Sequence, residues 1–569
     1  SVRLYNPFHF ESYNSLNSVF DQRLLGELEF FSGTYPLYLG DSLSAAMSLR
    51  PPAPDSLKNR REIGVGSYQL SYFQSKVNAD DSLLFSLRSS SPEAGHLLES
   101  QDLGHPEYID SYLRYQWEAP SGRSYAANLL WYGDDLSLGS DTTGEEAEAN
   151  YSSAYAWLRT DGPAEEGIRW SATIGLGYLE NERAGWVNQP AKVRGDLTER
   201  IDQLVVFASQ DFSLLQDERS LAWGWEFRHL DAHYAMSSHR FIDPAFSHLG
   251  NIPRAPVESF KGNEQGQQAA LYLIGKYRIG EQLFIDTGFR LDAQNFDGSE
   301  AINPAFRMGL LYQPHYSVDL RAAWGRYTQA QALNDLPIAD LETAIAAPQK
   351  GNQLVLSLDW TLPVFEAEFK AEIYRKDIES VNSYYDNLSN AFTLLPELQP
   401  DRVRISPQRY RADGVELSVE VPVGPGSVWA NYAYATARDR VDGIFVERSW
   451  DQGRTFNGRI QFALAGWELA LSAGFHEGWL TTPLLLSGDR VLSGPRNSER
   501  FDHFLSIDAK AIRRFPFSYG ELRVELGVSN LGNRENQIGT DYRVSGDVLG
   551  DTPFYGVSRT GFIDFFWTF

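Results

Sequence analysis

Six carboxylates fall between positions 134 and 148: Asp134, Asp135, Asp141, Glu145, Glu146 and Glu148. Calcium takes several carboxylate oxygens, so this stretch is a calcium candidate, although its spacing matches no EF-hand loop and a solvated acidic loop explains it more simply. His229 and His233 stand four apart and could share a strand face. Without a third ligand beside them they read as interface residues rather than a metal centre. Tyr384, Tyr385 and Phe392 sit in one long connection, about 376–405, and Trp479 opens another. Rigid amphipathic rings of this kind suit capture of a ligand or a protein partner, and equally suit packing of loops on each other. No G-x-S-x-G elbow, H-E-x-x-H pair or phosphate-binding loop occurs, and nothing in the sequence points to covalent catalysis.

Composition narrows the class that must hold these residues. The 569 residues carry 50 Lys plus Arg against 75 Asp plus Glu, a net charge of −25 that argues against nucleic acid as a partner. There is no cysteine, which excludes disulfides, zinc thiolates and Cys nucleophiles. Mean hydropathy is −0.36, and no apolar run approaches the roughly 18 residues of a membrane helix. A membrane β-barrel escapes that exclusion, because its strands alternate apolar and polar residues and average out as hydrophilic. The first residues show no charged and apolar leader, so the expectation is a mature chain.

The elements themselves read with a period of two. Leu522, Val524, Leu526 and Val528 alternate with Glu521, Arg523, Glu525 and Gly527. Phe365, Ala367, Phe369, Ala371 and Ile373 alternate with Glu366, Glu368, Lys370 and Glu372, and Val415, Leu417 and Val419 alternate with Glu416, Ser418 and Glu420. A soluble sandwich could alternate in the same way. Aromatic residues at the segment ends and many charges on the polar faces favour a barrel with a wet lumen. Glu366, Glu368, Lys370, Glu416, Glu420, Asp508, Lys510 and Arg523 are the expected lumen charges. Short connections (near 160–167, 279–281, 422–426 and 466) alternate with long ones (near 91–108, 136–149, 233–263, 376–405 and 479–499). Counting back from the last strand, with a reversal at Gly66 and Ser67, gives an even count of about 22 antiparallel strands.

Residues 1–52 do not follow the barrel pattern. Tyr5-Asn6-Pro7-Phe8-His9, the steps at Gly33 and Gly40, and the small-residue run Ala45-Ala46-Met47-Ser48 stand in that order. They resemble the C-terminal part of the plug of TonB-dependent outer-membrane receptors, in the branch common among Bacteroidota. Gly414-Val415-Glu416 and Ser529-Asn530-Leu531-Gly532 resemble barrel strands of the same family. The last strand, with Gly561, Ile563, Phe565, Trp567 and Phe569, resembles the signal read by the barrel-assembly machinery. Ser32-Gly33-Thr34 departs from the family's Arg-Gly or Lys-Gly-Gly, and Leu39-Gly40-Asp41 from its Tyr-Gly-Gly.

The resemblance implies an all-β fold: a 22-stranded transmembrane barrel over 53–569, with a partial plug in 1–52. It implies outer-membrane lipid and the TonB complex as partners, a further plug half with the TonB box upstream, and no cofactor. The leading expectation is energised import of a scarce nutrient: a metal chelate, a cofactor, an oligosaccharide or a peptide. The alternatives are a non-transporting scaffold for a surface lipoprotein or larger envelope complex, and a passive channel, which the plug resemblance disfavours.

Overall fold

The computed structural model describes residues 2–10, 17–91, 104–140, 144–163, 167–216, 218–252, 255–389 and 393–569. Within them 22 antiparallel strands, from Arg60–Gly66 to Thr560–Thr568, close a barrel. Each strand pairs with its neighbours in sequence. The seam is made by Thr560–Thr568 against Arg60–Gly66, with Phe566 opposite Gly64 and Thr568 opposite Glu62. Closure removes the two open edges that a sheet of this size would otherwise present.

The pleat explains the composition. On Ile168–Gln189, Trp170, Ile174, Leu176 and Tyr178 point outward, while Ser171, Thr173 and Leu179 point in and are buried. That outward row is about as long as the apolar band of a membrane, with an aromatic ring at each end. Beyond Tyr178 the outward positions turn polar: Glu180, Glu182 and Asn188. The strand nevertheless continues in register with Val193–Gln216, which is 24 residues long, on the order of 80 Å at about 3.4 Å per residue. The wall therefore projects well past the membrane on this side.

This extension corrects two of the expected loops. Residues 136–140 and 145–149 belong to the paired strands Ser124–Ser140 and Glu145–Pro163, and 233–242 belong to the strand Arg219–Ile242. Outside the membrane the outer face is wet, so apolar alternation ends while backbone pairing does not; the sequence there imitates a loop. The reversal between Arg60–Gly66 and Gln69–Val77 lies where the sequence placed it.

Turns at the end that carries the C-terminus are tight, among them 424–425, 465–466 and 518–519. The opposite end carries the long connections 379–408, 477–503 and 530–559. Short turns on the periplasmic side and long loops outside are the polarity of outer-membrane barrels. Trp567 and Phe517 meet at 5.5 Å at the short-turn end, part of the inner aromatic girdle.

Candidate functional site

Residues 2–10 and 17–52 lie inside the barrel. Their regular structure is modest: the pairing of Glu27–Phe31 with Ala46–Arg50, a two-residue pairing of Phe8–His9 with Asn17–Ser18, and short 3-10 turns. So little sheet leaves many backbone groups without ladder partners, and wall side chains supply them. Tyr132 Oη donates to the Asn6 carbonyl at 2.5 Å, Tyr327 Oη to the Tyr35 carbonyl at 3.0 Å, Arg307 Nε to the Thr34 carbonyl at 2.6 Å and Gln353 Nε2 to the Leu43 carbonyl at 2.6 Å. Lys376 Nζ donates to the Ser44 carbonyl at 2.6 Å and also to that of Ser32.

Three charged anchors fix this inner segment. The first is His9, fully buried behind Pro7 and Phe8. Its Nε2 lies 3.0 Å from Asp110 and its Nδ1 bonds Asp134. The second Asp134 oxygen accepts the Phe10 N–H at 2.9 Å, and Asp110 also takes Arg88 at 2.8 Å. Each ring nitrogen faces a carboxylate, so both must carry a proton. Burial alone would lower the His9 pKa, but the hydrogen bonds and charges of Asp110 and Asp134 outweigh it and raise it above the ordinary value. Asn6 is held beside it, donating to Asn181 at 3.2 Å and accepting from Asn334 at 2.9 Å, while the Tyr5 N–H reaches Tyr155 at 3.2 Å.

The second anchor ties the segment to the barrel seam. Arg23 grips Asp21 and donates to Glu62 at 2.8 Å, and Glu62 also accepts from Thr568 at 2.9 Å across the closing strands. The third is Asp41, next to Gly40. Its carboxylate bonds Arg3, accepts from Arg228 at 3.1 Å and takes the Ala330 N–H at 2.7 Å. Against the penalty of burial, the two guanidiniums hold the Asp41 carboxyl below its usual range. Arg290, 1% exposed, packs on Gly40 and donates to the Leu37 carbonyl at 3.1 Å, to Glu226 at 3.0 Å and to Asp292 at 2.7 Å.

That packing makes Gly40 sensitive. A Cβ there would stand 2.1 Å from Arg290 Nε, whereas one at Gly33 would stand 3.1 Å from Gln353 Oε1. Arg290 cannot swing aside without leaving Glu226 and Asp292 short of a cation. Gly40→Ala is expected to destabilise the seated segment by about 3 kcal/mol, the scale of a broken buried ion pair. Gly33→Ala should cost under ~1 kcal/mol, because Gln353 needs to give only a few tenths of an ångström. Calorimetric melting of the two variants checks the order.

The expected lumen charges divide. Glu368 and Lys370 share the inner face with Glu372 and Lys376, and it is the latter pair that touches the inner segment, Glu372 accepting from Ser32 at 3.1 Å. Glu416, opposite Glu372, and Glu420 face the same way. Asp508 accepts from Ser506 at 2.9 Å and from the Asn530 N–H at 2.8 Å; Lys510 pairs with Glu525 at 2.5 Å, and Arg523 with Glu525 at 3.0 Å. These last bind wall to wall. Glu366 is a correction: it lies in the tight turn 363–366 with φ of 51°, at the barrel rim and not on a lumen strand.

The acidic stretch does not converge. Alternation sends Asp134 inward to His9 and Glu145 inward to Thr393, at 2.8 Å, while Asp135, Glu146 and Glu148 are exposed on the outside. Asp141 lies outside the described residues. Among the described residues no three acidic or histidine side chains are grouped to hold a metal ion. His229 and His233 both fall on the outer face of Arg219–Ile242.

The mouth is closed by the chain's own loops. Leu394, Leu395 and Leu398, from the connection 379–408, are buried with Phe10, Tyr108, Leu197 and Ala339. Glu397 accepts from Arg183 at 2.9 Å, and Arg183 also holds Glu199 at 2.5 Å. Burial would raise the Glu397 pKa, but Arg183 and Arg402 bring it below the ordinary value. Arg402 pairs with Asp340 at 2.5 Å. Tyr385 donates to Glu342 at 3.0 Å; Tyr384 donates to Asp439 at 2.7 Å and accepts from Arg496 at 2.7 Å. These two tyrosines therefore pack loop on loop. Trp479 stacks on His476 at 5.3 Å and meets the half-exposed Trp450 at 5.1 Å. Phe392 lies outside the described residues. The signal for this closure was three leucines in one long connection, apolar surface that a free loop would leave in water.

Comparison with known proteins agrees with this architecture. The family model described as "TonB dependent receptor-like, beta-barrel" matches residues 49–531. No curated protein sequence matches significantly. Among solved structures, the ferric citrate transporter FecA in its unliganded form superposes with a TM-score of 0.69 at 13% identity, over 99% of this chain and 86% of that one. The copper transporter OprC gives 0.70 at 12% identity, over 95% and 85%. The FrpB iron transporter of Neisseria meningitidis, F3-3 variant, gives 0.67 at 14% identity, over 96% and 88%. At such identities the structures share the fold; the family match covers most of the chain. Such receptors are integral to the outer membrane and are transporters rather than enzymes, and this chain belongs to the TonB-dependent receptor family.

Proposed function

We propose that this receptor imports a metal chelate across the outer membrane, with residues 1–52 as the C-terminal part of a plug that the TonB complex displaces. The observation that carries the reading is the way the inner segment is held. Its anchors at His9, Arg23 and Asp41 are ion pairs and hydrogen bonds to the wall, which a pulling force can break one after another. The ferric citrate transporter FecA, the FrpB iron transporter and the copper transporter OprC support the substrate class. The C-terminal row ending in Trp567 and Phe569 would serve the barrel-assembly machinery.

One observation favours a second reading, a barrel that anchors a surface lipoprotein without transport: the mouth is closed by Leu394, Leu395 and Leu398. Uptake of radiolabelled ferric and cupric chelates by cells making the whole receptor separates the two. Import expects accumulation that stops when the inner-membrane proton gradient is collapsed. No energy-dependent accumulation of any chelate, with a surface protein co-purifying in stoichiometric amount, would replace import by the scaffold.

A further inference from the structure

The lipid-facing wall carries a trough beside the barrel seam. Its floor is small: Ala509 and Ala511 on Phe504–Phe517. Its sides are large: Leu469 and Leu471 on one flank, Leu526 and Val528 on the other, with Gly561 and Ile563 on the last strand beyond. The register sets this arrangement. Ala511 lies opposite Leu469 on one side and Leu526 on the other; Ala509 lies opposite Leu471 and Val528. The next row continues it, since Leu526 faces Ile563 and Val528 faces Gly561. The hollow has a volume of about 720 Å³ and is open to the membrane side. That is within the size of a ligand pocket.

The trough has a polar end. Two residues below Ala511, on the same face, is Arg513. Its guanidinium lies 5.3 Å from the Trp467 ring and 5.2 Å from the Phe515 ring. Among the described residues it makes no ion pair, while the adjacent Arg514, on the opposite face, pairs with Glu468. The turns at 465–466 and 518–519 lie just below, so Arg513 stands at the periplasmic edge of the apolar band. A cation held between two rings at that depth, without a carboxylate, matches the phosphate level of the inner leaflet. A guanidinium offers a phosphate paired N–H donors.

We propose that this trough is a binding site for one inner-leaflet glycerophospholipid, its phosphate on Arg513 and an acyl chain along Ala511 and Ala509. The depth of Arg513 selects a phospholipid over lipopolysaccharide, whose phosphates lie in the opposite leaflet. The lipid would fill the wall next to the seam that Glu62 and Thr568 close.

Native mass spectrometry of the full chain tests this, after release from nanodiscs containing phosphatidylethanolamine, phosphatidylglycerol and lipid A. Only folded barrels, identified by heat-modifiable gel mobility, are compared. The wild type is expected to retain one phospholipid. Arg513→Gln should lower the retained fraction about tenfold, the scale of a lost charge-assisted contact, and Arg513→Lys should largely keep it. Ala511→Phe, which fills the floor and leaves the cation intact, should lower it as well. Retention unchanged in both Arg513→Gln and Ala511→Phe would overturn the proposal. So would a wild-type protein that retains lipid A in place of phospholipid.

Discussion

Replacing His9 by alanine is expected to raise the exposure of the inner segment's first turn by two to three orders of magnitude. Among the described residues the imidazolium is the only cation shared by Asp110 and Asp134. Without it Asp110 keeps Arg88 and Asp134 keeps the Phe10 N–H, but the charge that neutralised both in a fully buried place is gone. Losing one partner of a buried ion pair costs about 3–5 kcal/mol, and the lower half of that range corresponds to roughly 10²–10³ in the population of the released state. The chain has no cysteine, so one introduced thiol reports cleanly. Val19, 1% exposed and hydrogen-bonded through its N–H to the Pro7 carbonyl at 3.3 Å, is a suitable position for Val19→Cys. Its maleimide labelling, normalised to the unfolded chain, should rise by that factor in the His9→Ala background.

The same contact fixes the direction of a pH effect. The folded-state pKa of His9 is raised, so the stabilisation is complete below the unfolded value of about 6.5 and fades as pH rises through the folded value. Asp110, Asp134, Arg88 and Tyr108 are the titratable and charged groups that face this ring or its carboxylates. Labelling of Val19→Cys should therefore be slow at pH 6 and faster above the raised pKa, and His9→Ala should flatten the profile. A slope that persists in His9→Ala would assign the effect elsewhere.

These anchors show what the sequence can and cannot reveal. Alternation located the strands because one face must meet lipid and the other water, and it worked best where both solvents are present, as on Ala367–Ile378 and Gly520–Ser529. It failed above the membrane, where Glu146 and Glu148 lie on the wet outer face of a paired strand whose apolar inner residues, Ala147 and Ala149, are small. His9, Gly33 and Gly40 stood out because their motif is tied to a particular backbone path. Arg228 and Arg290 did not, since a charged residue on an inner strand face looks the same whether it meets water or Asp41. Partners that lie 187 residues apart, as Asp41 and Arg228 do, leave no local trace. Tyr384 and Tyr385 were visible as rings that need a surface; only the folded loops show that the surface is their own.

The second large effect is expected at the mouth. Arg183 lies between Glu199, on the next strand, and Glu397, on the loop that covers the lumen. It also donates to the Leu394 carbonyl at 3.2 Å, so one guanidinium binds the loop through both backbone and side chain. Arg183→Ala would leave two buried carboxylates facing each other with no cation between them, apart from Arg402 on the far side of Glu397. The loop then gains by swinging Glu397 into water, and about 3–5 kcal/mol of closure is lost. The leucines resist: burying Leu394, Leu395 and Leu398 favours the closed loop by about 1.5–3 kcal/mol each. Opening should therefore rise but stay a minority state in Arg183→Ala, and rise further when Leu395→Asp is added. Protease cleavage within 379–408 on intact cells measures it, with a rise of about 10²-fold expected for the single variant. The double variant Arg183→Ala with Glu397→Gln should recover part of the closure, because it removes one of the two stranded charges. If the cut rate follows Arg183 alone and ignores Glu397, the ion pair does not hold the mouth shut, and the leucine cluster carries that role by itself.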